Sequence, residues 1–244
     1  MEWRDDGIVL SARPYGETGT ICALMTREHG RHAGLVRGQR IRAQLQPGTR
    51  VTAHWRARLA EHLGTFTLEP ASSVAALVID DPLRLAALAS ACGLVEQAVP
   101  ERSAYPNIYA GLASLLDLLP GPHWDAAYVQ WEIGLLRALG FGLDLERCAA
   151  TGSNDQLAYV SPRTGRAVSL SAAEPYADRL LALPGFLIGQ GEADPPSIAV
   201  GLALTGHFIE RNLFGQSHQP VPPARPRYVE RYRRYAATSG SLDA

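Results

Sequence analysis

One segment of the chain concentrates arginine, the side chain best suited to bidentate binding of phosphate. Between Thr26 and Arg58 there are eight arginines and a single acid, Glu28, so this stretch carries a net charge of +7. The arginines are Arg27, Arg31, Arg37, Arg40, Arg42, Arg50, Arg56 and Arg58. Because the whole chain carries a net charge of −1, this local excess predicts a surface that binds the backbone of a polyanion. The competing interpretation is an ordinary solvated face without a partner.

Other chemistry is poorly supported by the sequence. The chain has no lysine, and all 23 of its basic residues are arginines, which excludes a P-loop lysine and Schiff-base catalysis. The acid pairs Asp5–Asp6 and Asp80–Asp81 are poor metal ligands, since neighbouring strand residues point to opposite faces and Asp81 is placed to cap a helix. The seven histidines lack metal-binding spacing. We therefore expect no enzymatic activity, no metal and no other cofactor.

Cysteine spacing and the chain start bear on the cellular compartment. Cys22, Cys92 and Cys148 are widely separated and form no CxxC pair, so we expect isolated reduced thiols. The polar, acidic first residues do not resemble a secretory signal, and no apolar run reaches the length of about 18 residues that a membrane span needs. These features predict a cytoplasmic protein.

The first 70 residues predict five short strands separated by turns. The predicted strands are Gly7–Arg13, Thr20–Thr26, His32–Arg37, Thr49–Arg58 and Gly64–Glu69. Glu28–Arg31 is predicted as a turn with Gly30 in the left-handed region, and Trp55 is predicted to face the core. Five such strands favour an OB-fold barrel, although an SH3-like barrel gives a similar pattern.

From Asp80 onward the apolar spacing is helical, with Asp81 and Pro82 as the first helix start. A turn-rich insertion covers about 146–172, and a Pro-rich and then Arg-rich tail follows residue 219. The sequence thus predicts an α+β protein with domains at 1–78 and 79–244. Residues 1–70 carry +3, residues 71–224 carry −7 and residues 225–244 carry +3. The Arg-rich tail is either a solvated helix end or an extension of the basic surface.

Several motifs together resemble the RecO family of bacterial recombination and repair proteins. The N-terminal motifs are Gly7–Ser11, Arg13–Glu17, Leu24–Arg31, Gly34–Gly38 and Leu45–Gly48. Gly140–Cys148 and Tyr159–Arg166 resemble the family's central segment, and Pro222–Arg225 resembles its C-terminal ending. The resemblance covers nearly the whole chain in order. It implies an N-terminal OB-fold followed by a helical domain with a degenerate, zinc-ribbon-like insertion.

The resemblance also implies a function. Members of this family bind single- and double-stranded DNA, anneal complementary strands and help to load RecA onto DNA coated by single-strand-binding protein. RecR is the usual partner, and the helical domain receives the acidic, apolar-tipped tail of the single-strand-binding protein. A nucleoid-associated location in the cytoplasm follows. Some members hold zinc with four cysteines, whereas here Cys148 stands alone and Thr151 takes the CxxC partner position, so no zinc is expected.

The family's basic OB surface carries over onto this chain as a set of candidate DNA-binding residues. They are Arg13, Arg31, Arg37, Arg40, Arg42, Arg56 and Arg58. Tyr15 is added to these candidates from the sequence itself, without the family resemblance. Arg37–Arg42 is interpreted as a basic loop that follows the phosphate backbone, and Tyr15, predicted to lie in a turn, as a base-stacking residue. Alternatives are an RNA-binding OB protein, a protein-interaction scaffold and, least favoured, a nuclease.

Overall fold

The protein begins with a closed five-stranded barrel in the order β1-β2-β3-β5-β4. The computed structural model describes residues 1–215 and 219–239. The strands are β1 (Glu2–Tyr15), β2 (Gly19–Thr26), β3 (Gly30–Arg37), β4 (Thr49–Arg56) and β5 (Thr65–Ser73). Neighbouring strands pair antiparallel except β3 and β5, which run parallel over a short contact. This arrangement is OB-like, which settles the choice between the two predicted barrels.

Strand β1 is longer than predicted, at 14 residues. Its first half pairs with β4, starting from Glu2 opposite Arg56, and its second half pairs with β2, ending with Tyr15 opposite Gly19. A register shift between Val9 and Ser11 bends the strand between the two partners. Tyr15 therefore lies at the end of a strand, where a turn had been predicted. Pairing with two different strands is what extends β1 across a polar start that lacks a strand pattern.

Alternation along the strands fills the barrel with apolar side chains. The buried interior consists of Val9, Cys22, Leu24, Val36, Leu45, Val51, Ala53, Trp55, Phe66 and Leu68. Trp55 and Phe66 are each only 2% exposed, so the prediction that Trp55 belongs to the core is confirmed. Gly30 has a φ of +68°, in the left-handed region as predicted, but Gly30 and Arg31 are the first residues of β3 and not part of the turn.

Two helices pack with the barrel, α3 (Pro82–Ala98) and α4 (Pro106–Leu118). One-turn helices, α1 (Gln39–Arg42) and α2 (Val74–Leu77), precede them. The Asp81 carboxylate accepts from the backbone N–H groups of Leu83 and Arg84 at 2.9 and 3.0 Å, which confirms the predicted cap.

The chain divides by compactness into a first unit of Met1–Trp124 with Pro222–Tyr228, and a second unit that begins at Asp125. The domain boundary at 78/79 stays a prediction.

The second unit is built around helices and a small sheet. Its helices include most of α5 (Trp124–Ala138), α6 (Leu170–Ala173), α7 (Pro195–Phe208) and most of α8 (Ala224–Ser239). A π-helical turn, Ile209–Phe214, continues α7, and 3-10 turns cover Glu174–Arg179 and Gly185–Ile188. The turn-rich insertion contains β6 (Leu157–Val160) and β7 (Ala167–Ser169), which form a sheet with β8 (Leu181–Ala182). Residues 216–218 and 240–244 of the predicted helical domain lie outside the described residues.

Within the described part of the chain, no helix is both long enough and apolar enough to cross a membrane. The three cysteines are free and buried, in agreement with the prediction of isolated thiols.

Candidate nucleic-acid interface

Three connections of the barrel meet around the C-terminal end of β3. We call them the loop rim: residues 16–18 between β1 and β2, residues 38–48 between β3 and β4, and residues 57–64 between β4 and β5. The Gly38 N–H donates to the Thr18 carbonyl at 3.4 Å, and the Leu35 N–H donates to the Gly64 carbonyl at 3.0 Å. The first residue of the second loop is therefore hydrogen-bonded to the first loop, and β3 is hydrogen-bonded to the third. In OB-folds such loops are common sites of oligonucleotide binding.

Four arginines of the basic segment lie at this rim with exposed side chains. They are Arg37, Arg40, Arg42 and Arg58. Within the described ranges, none of the four has a carboxylate oxygen within ion-pair distance. Arg40 and Arg42 belong to the single turn of α1, so the segment predicted as a basic loop contains a helical turn. These four guanidinium groups are the part of the +7 charge that remains available to an external anion.

Other arginines of the segment are held by acids from the chain that follows the barrel. Arg31, 19% exposed, donates to the Val99 carbonyl at 2.6 Å and to Glu101 at 3.0 Å. Arg50 donates to Asp117 at 2.7 Å and to the carbonyl of Ala113 at 2.9 Å. Their charges are largely neutralised, and their role in the structure is to join β3 and β4 to the helical segments.

Arg27 and Arg13 are also held by neighbours. Arg27 lies 3.3 Å from Asp6 and stacks over the ring of Tyr109 at 5.5 Å. Of the residues predicted from the family resemblance, Arg13 donates to Glu96 at 2.9 Å, although its side chain remains 69% exposed. The acid partners of Arg13, Arg31 and Arg50 are 67 to 83 residues away in sequence, so no local pattern could have pointed to them.

The predicted binding residues fall on two different faces of the barrel. Tyr15, Gly19 and Arg37 stand opposite one another on β1, β2 and β3, so their positions share one outer face. Tyr15 and Arg37 are two strand spacings apart, about 9–10 Å, and between them the Tyr15 carbonyl and the Leu35 side chain pack closely over Gly19. Tyr15 is 58% exposed, whereas Trp55 and Phe66 are buried, so of these three rings Tyr15 alone is accessible to a base.

Arg56 lies on the opposite outer face, formed by β1, β4 and β5. Its Nε is 3.9 Å from Glu2, on a face that also holds the Arg4–Glu69 pair at 3.6 Å. The face is mixed in charge. At its edge, however, Arg56, Arg58 and His62 line a shallow hollow of about 650 Å³ beside loop 57–64. The structure therefore brings Arg56 and Arg58 together, and separates Arg56 from the face of Tyr15 and Arg37.

A zinc site is not supported by the residues around Cys148. The Cys148 sulfur accepts from the backbone N–H and the hydroxyl of Ser169 at 3.3 and 3.4 Å. Burial raises the pKa of this thiol, but hydrogen bonds from Ser169 and Thr151 outweigh burial and lower the pKa to about 6. Hydroxyl and amide groups thus surround the sulfur where a metal site would need further thiolates. Among the described residues, no group of three or more His, Cys, Asp or Glu side chains could hold a metal.

The Arg-rich tail forms the amphipathic helix α8. Tyr228 and Tyr232 are buried on one side, while Arg227, Arg233 and Arg234 are exposed on the other. Arg234 pairs with Glu230 at 2.9 Å. Both earlier interpretations, a solvated helix face and an extension of the basic surface, are compatible with this arrangement.

The fold and the rim define a class: an α+β protein whose OB-like barrel presents exposed arginines at its loops. Comparison with known families identifies the class further. Residues 1–74 match the model of the Recombination protein O N terminal domain, and residues 79–219 match that of the Recombination protein O C terminal domain. The chain belongs to the RecO family.

Individual relatives agree with this assignment over 95% or more of their own lengths. A protein of Rhodospirillum centenum named DNA repair protein RecO is 58% identical, with 100% of both chains aligned. The protein of that name from Rhodospirillum rubrum is 48% identical over 97% of this chain and 98% of the relative. That from Phenylobacterium zucineum is 50% identical over 92% and 95%. The resemblance read from the sequence motifs is confirmed.

Proposed function

We propose that this protein is a DNA repair and recombination mediator that binds DNA through the loop rim without catalysing a reaction. The observation that carries the proposal is the set of exposed arginines that have no acid partner in residues 1–215 and 219–239: Arg37, Arg40, Arg42 and Arg58. Guanidinium groups that neutralise phosphates release counterions, which supplies affinity without reading sequence. Binding to single- and double-stranded DNA is therefore expected to be non-specific.

Annealing of complementary strands follows from the same electrostatics. Two strands repel each other through their phosphates, and a cationic rim that contacts both lowers that repulsion. The exposed ring of Tyr15 gives unpaired bases a surface to stack on, which keeps a single strand extended at the rim. The protein would thus hold strands in a state ready for pairing.

We further propose that the second unit receives protein partners, among them RecR and the tail of the single-strand-binding protein, and so assists RecA loading on coated DNA. The second unit contains a cavity of about 640 Å³ whose lining includes Ile133, Leu143, Leu157 and Leu187 beside Arg137. An apolar peptide tip fits the aliphatic lining, and Arg137 offers a partner for its terminal carboxylate. Asp144 and Glu146 also line the cavity, and the charge of Asp144 is partly offset by Arg166 at 3.3 Å.

A strand-annealing assay tests these proposals together. Two complementary oligonucleotides, one carrying a fluorophore and the other a quencher, are mixed with the protein. In one arm the oligonucleotides are naked, and in the other they are coated with single-strand-binding protein. The variant with Arg37→Gln, Arg40→Gln and Arg42→Gln is expected to anneal poorly in both arms. Arg137→Glu is expected to anneal naked strands like the wild type and to fail on coated strands. Full annealing by the triple variant would contradict the rim, and full activity of Arg137→Glu on coated strands would contradict the cavity.

A further inference from the structure

The connector that leaves α3 lies along the start of β3. The backbone N–H of Arg102 donates to the Arg31 carbonyl at 2.8 Å, and Arg31 and Glu101 form an isolated parallel bridge. The approach is close: a Cβ atom added at Gly30 would lie 1.9 Å from the carbonyl oxygen of Ser103. Residues 99–103 are therefore fixed against the barrel by backbone contacts as well as by side chains.

Two arginines reach across this contact in opposite directions. Arg31 extends from the barrel to the connector, where it donates to the Val99 carbonyl and to Glu101. Arg102 extends from the connector to the barrel, where its guanidinium donates to the backbone carbonyls of Ala60 and His62 in loop 57–64. We call this reciprocal pair the arginine clasp.

Loop 57–64 depends on the clasp at its centre. Near its C-terminal end the loop is held by Trp55 Nε1, which donates to the Leu63 carbonyl at 3.0 Å, and by the bond from Leu35 to Gly64. In the middle, the bond from the His62 N–H to the Leu59 carbonyl at 3.2 Å is local to the loop. Among the described residues, Arg102 is what ties this central part to the rest of the barrel unit by hydrogen bonds.

The backbone at Arg102 is in an unusual conformation. Its φ is +58°, in the left-handed region where a side chain with a Cβ atom is disfavoured and glycine is preferred. A long side chain at such a position is held there by its surroundings, and strain of this kind is concentrated at functional positions. The two carbonyl bonds to the loop are the contacts that the left-handed turn makes possible for this guanidinium.

We propose that Arg102 is a positioning residue, which fixes loop 57–64 so that Arg58 and His62, beside Arg56 at the end of β4, face an incoming phosphate backbone. Arg102 holds the loop in the free protein, whether or not DNA is bound. The consequence for DNA binding rests on the proposed function. On this proposal Arg102 acts through the loop and does not itself contact the phosphates. Arg31 and Arg102, two arginines near the rim, thus maintain the conformation of the site.

Hydrogen–deuterium exchange of the free protein tests the clasp directly. In Arg102→Gln the amide of His62, whose N–H donates to the Leu59 carbonyl, is expected to exchange at least tenfold faster, with the rest of the barrel unchanged. Arg102→Gly removes the same guanidinium but tolerates the positive φ, so this variant should still fold. It should show the same local increase in the exchange rate. The control is Arg84→Gln, which also removes an arginine that donates to two backbone carbonyls, those of Leu119 and Gly121. Unchanged exchange in the loop of both Arg102 variants would overturn the proposal.

A double-mutant cycle with Arg58→Gln separates positioning from direct contact. Arg102→Gln is expected to weaken single-stranded DNA binding about threefold to tenfold in the wild-type background, and to have a clearly smaller effect once Arg58 is replaced, because coupled residues are not additive. If the two losses instead multiply, Arg102 contacts DNA itself and the positioning role is wrong. If Arg58→Gln leaves DNA binding unchanged, Arg58 does not belong to the DNA-binding surface and the proposed function is wrong for that residue. The exchange experiment still decides whether the clasp holds the loop.

Discussion

At the scale of single residues, arginines in one basic segment serve two different purposes. Arg31 and Arg50 are bound to Glu101 and Asp117 and join the barrel to the helices that follow it. Arg37, Arg40 and Arg42 are exposed at the rim without such partners in the described chain. The charges of Arg31 and Arg50 are already neutralised by ion pairs, whereas the other three arginines face solvent. Of these two groups, only the exposed one can neutralise phosphate without breaking an ion pair inside the protein.

Tyr15 gives a prediction at this scale about the preference for single strands. Tyr15→Ala should weaken single-stranded DNA binding by about 1–3 kcal/mol, the usual value of one stacked base. Duplex binding should change little, because duplex bases already stack on each other. Tyr15→Phe keeps the ring and serves as the matched control. Equal losses for both forms of DNA, measured by fluorescence anisotropy, would show that Tyr15 does not stack on a base.

At the scale of the element, β3 presents different chemistry on its two sides. Its outer side carries Arg31 and Arg37, and its inner side places His32 within the barrel against Trp3, Trp55 and Phe66. His32 is 4% exposed, and neither of its ring nitrogens has a hydrogen-bond partner among the described residues. Burial, together with the charge of Arg102, lowers the pKa of His32 to about 4.

This pKa predicts how barrel stability depends on pH. The folded state keeps His32 neutral, whereas the unfolded chain takes up a proton below its ordinary pKa of 6.5. Stability should therefore be independent of this group above pH 6.5 and should fall between pH 6.5 and 4, by up to about 3 kcal/mol. Urea unfolding at several pH values measures the effect. His32→Phe, which loses no hydrogen bond, should remove this part of the decline; an identical pH profile for the variant would contradict the assignment.

Asp5 contributes in a different pH range. Burial raises the pKa of Asp5, but hydrogen bonds from His29 and from the N–H groups of Glu28, His29 and Asp6 outweigh it and hold the pKa below its usual value. Its stabilising effect is present above the ordinary pKa of 3.8 and is lost as the pH falls further. The comparison of wild type with His32→Phe above pH 4 is therefore little affected by this carboxylate.

Elements also show what the sequence could and could not predict. The alternation of Val51, Ala53 and Trp55 gave the buried face of β4 correctly, because a period of two needs no knowledge of the partner strands. The extent of β1 was underestimated, because its polar start becomes a strand only through pairing with β4. For the rim, charge density located the segment, but which arginines are neutralised depends on helices far along the chain.

At the scale of the whole molecule, charge is partitioned more sharply than the net value of −1 suggests. The acidic stretch from residue 71 supplies Glu96, Glu101 and Asp117, which neutralise barrel arginines. What remains positive on the barrel is concentrated at the loop rim. The RecO family assignment gives this remaining charge its proposed ligand, which is DNA.

The salt dependence of single-stranded DNA binding tests the central claim most directly. Each phosphate contact to a single strand contributes about 0.7 to the slope of log affinity against log salt, so replacing Arg37, Arg40 and Arg42 by Gln should reduce the slope by about 2 and the affinity on the order of 100-fold at 0.1 M salt. A control with Arg147→Gln, Arg163→Gln and Arg179→Gln removes the same charge from exposed positions of the second unit. The account predicts wild-type slope and affinity for the control; equal behaviour of the two triple variants would contradict it.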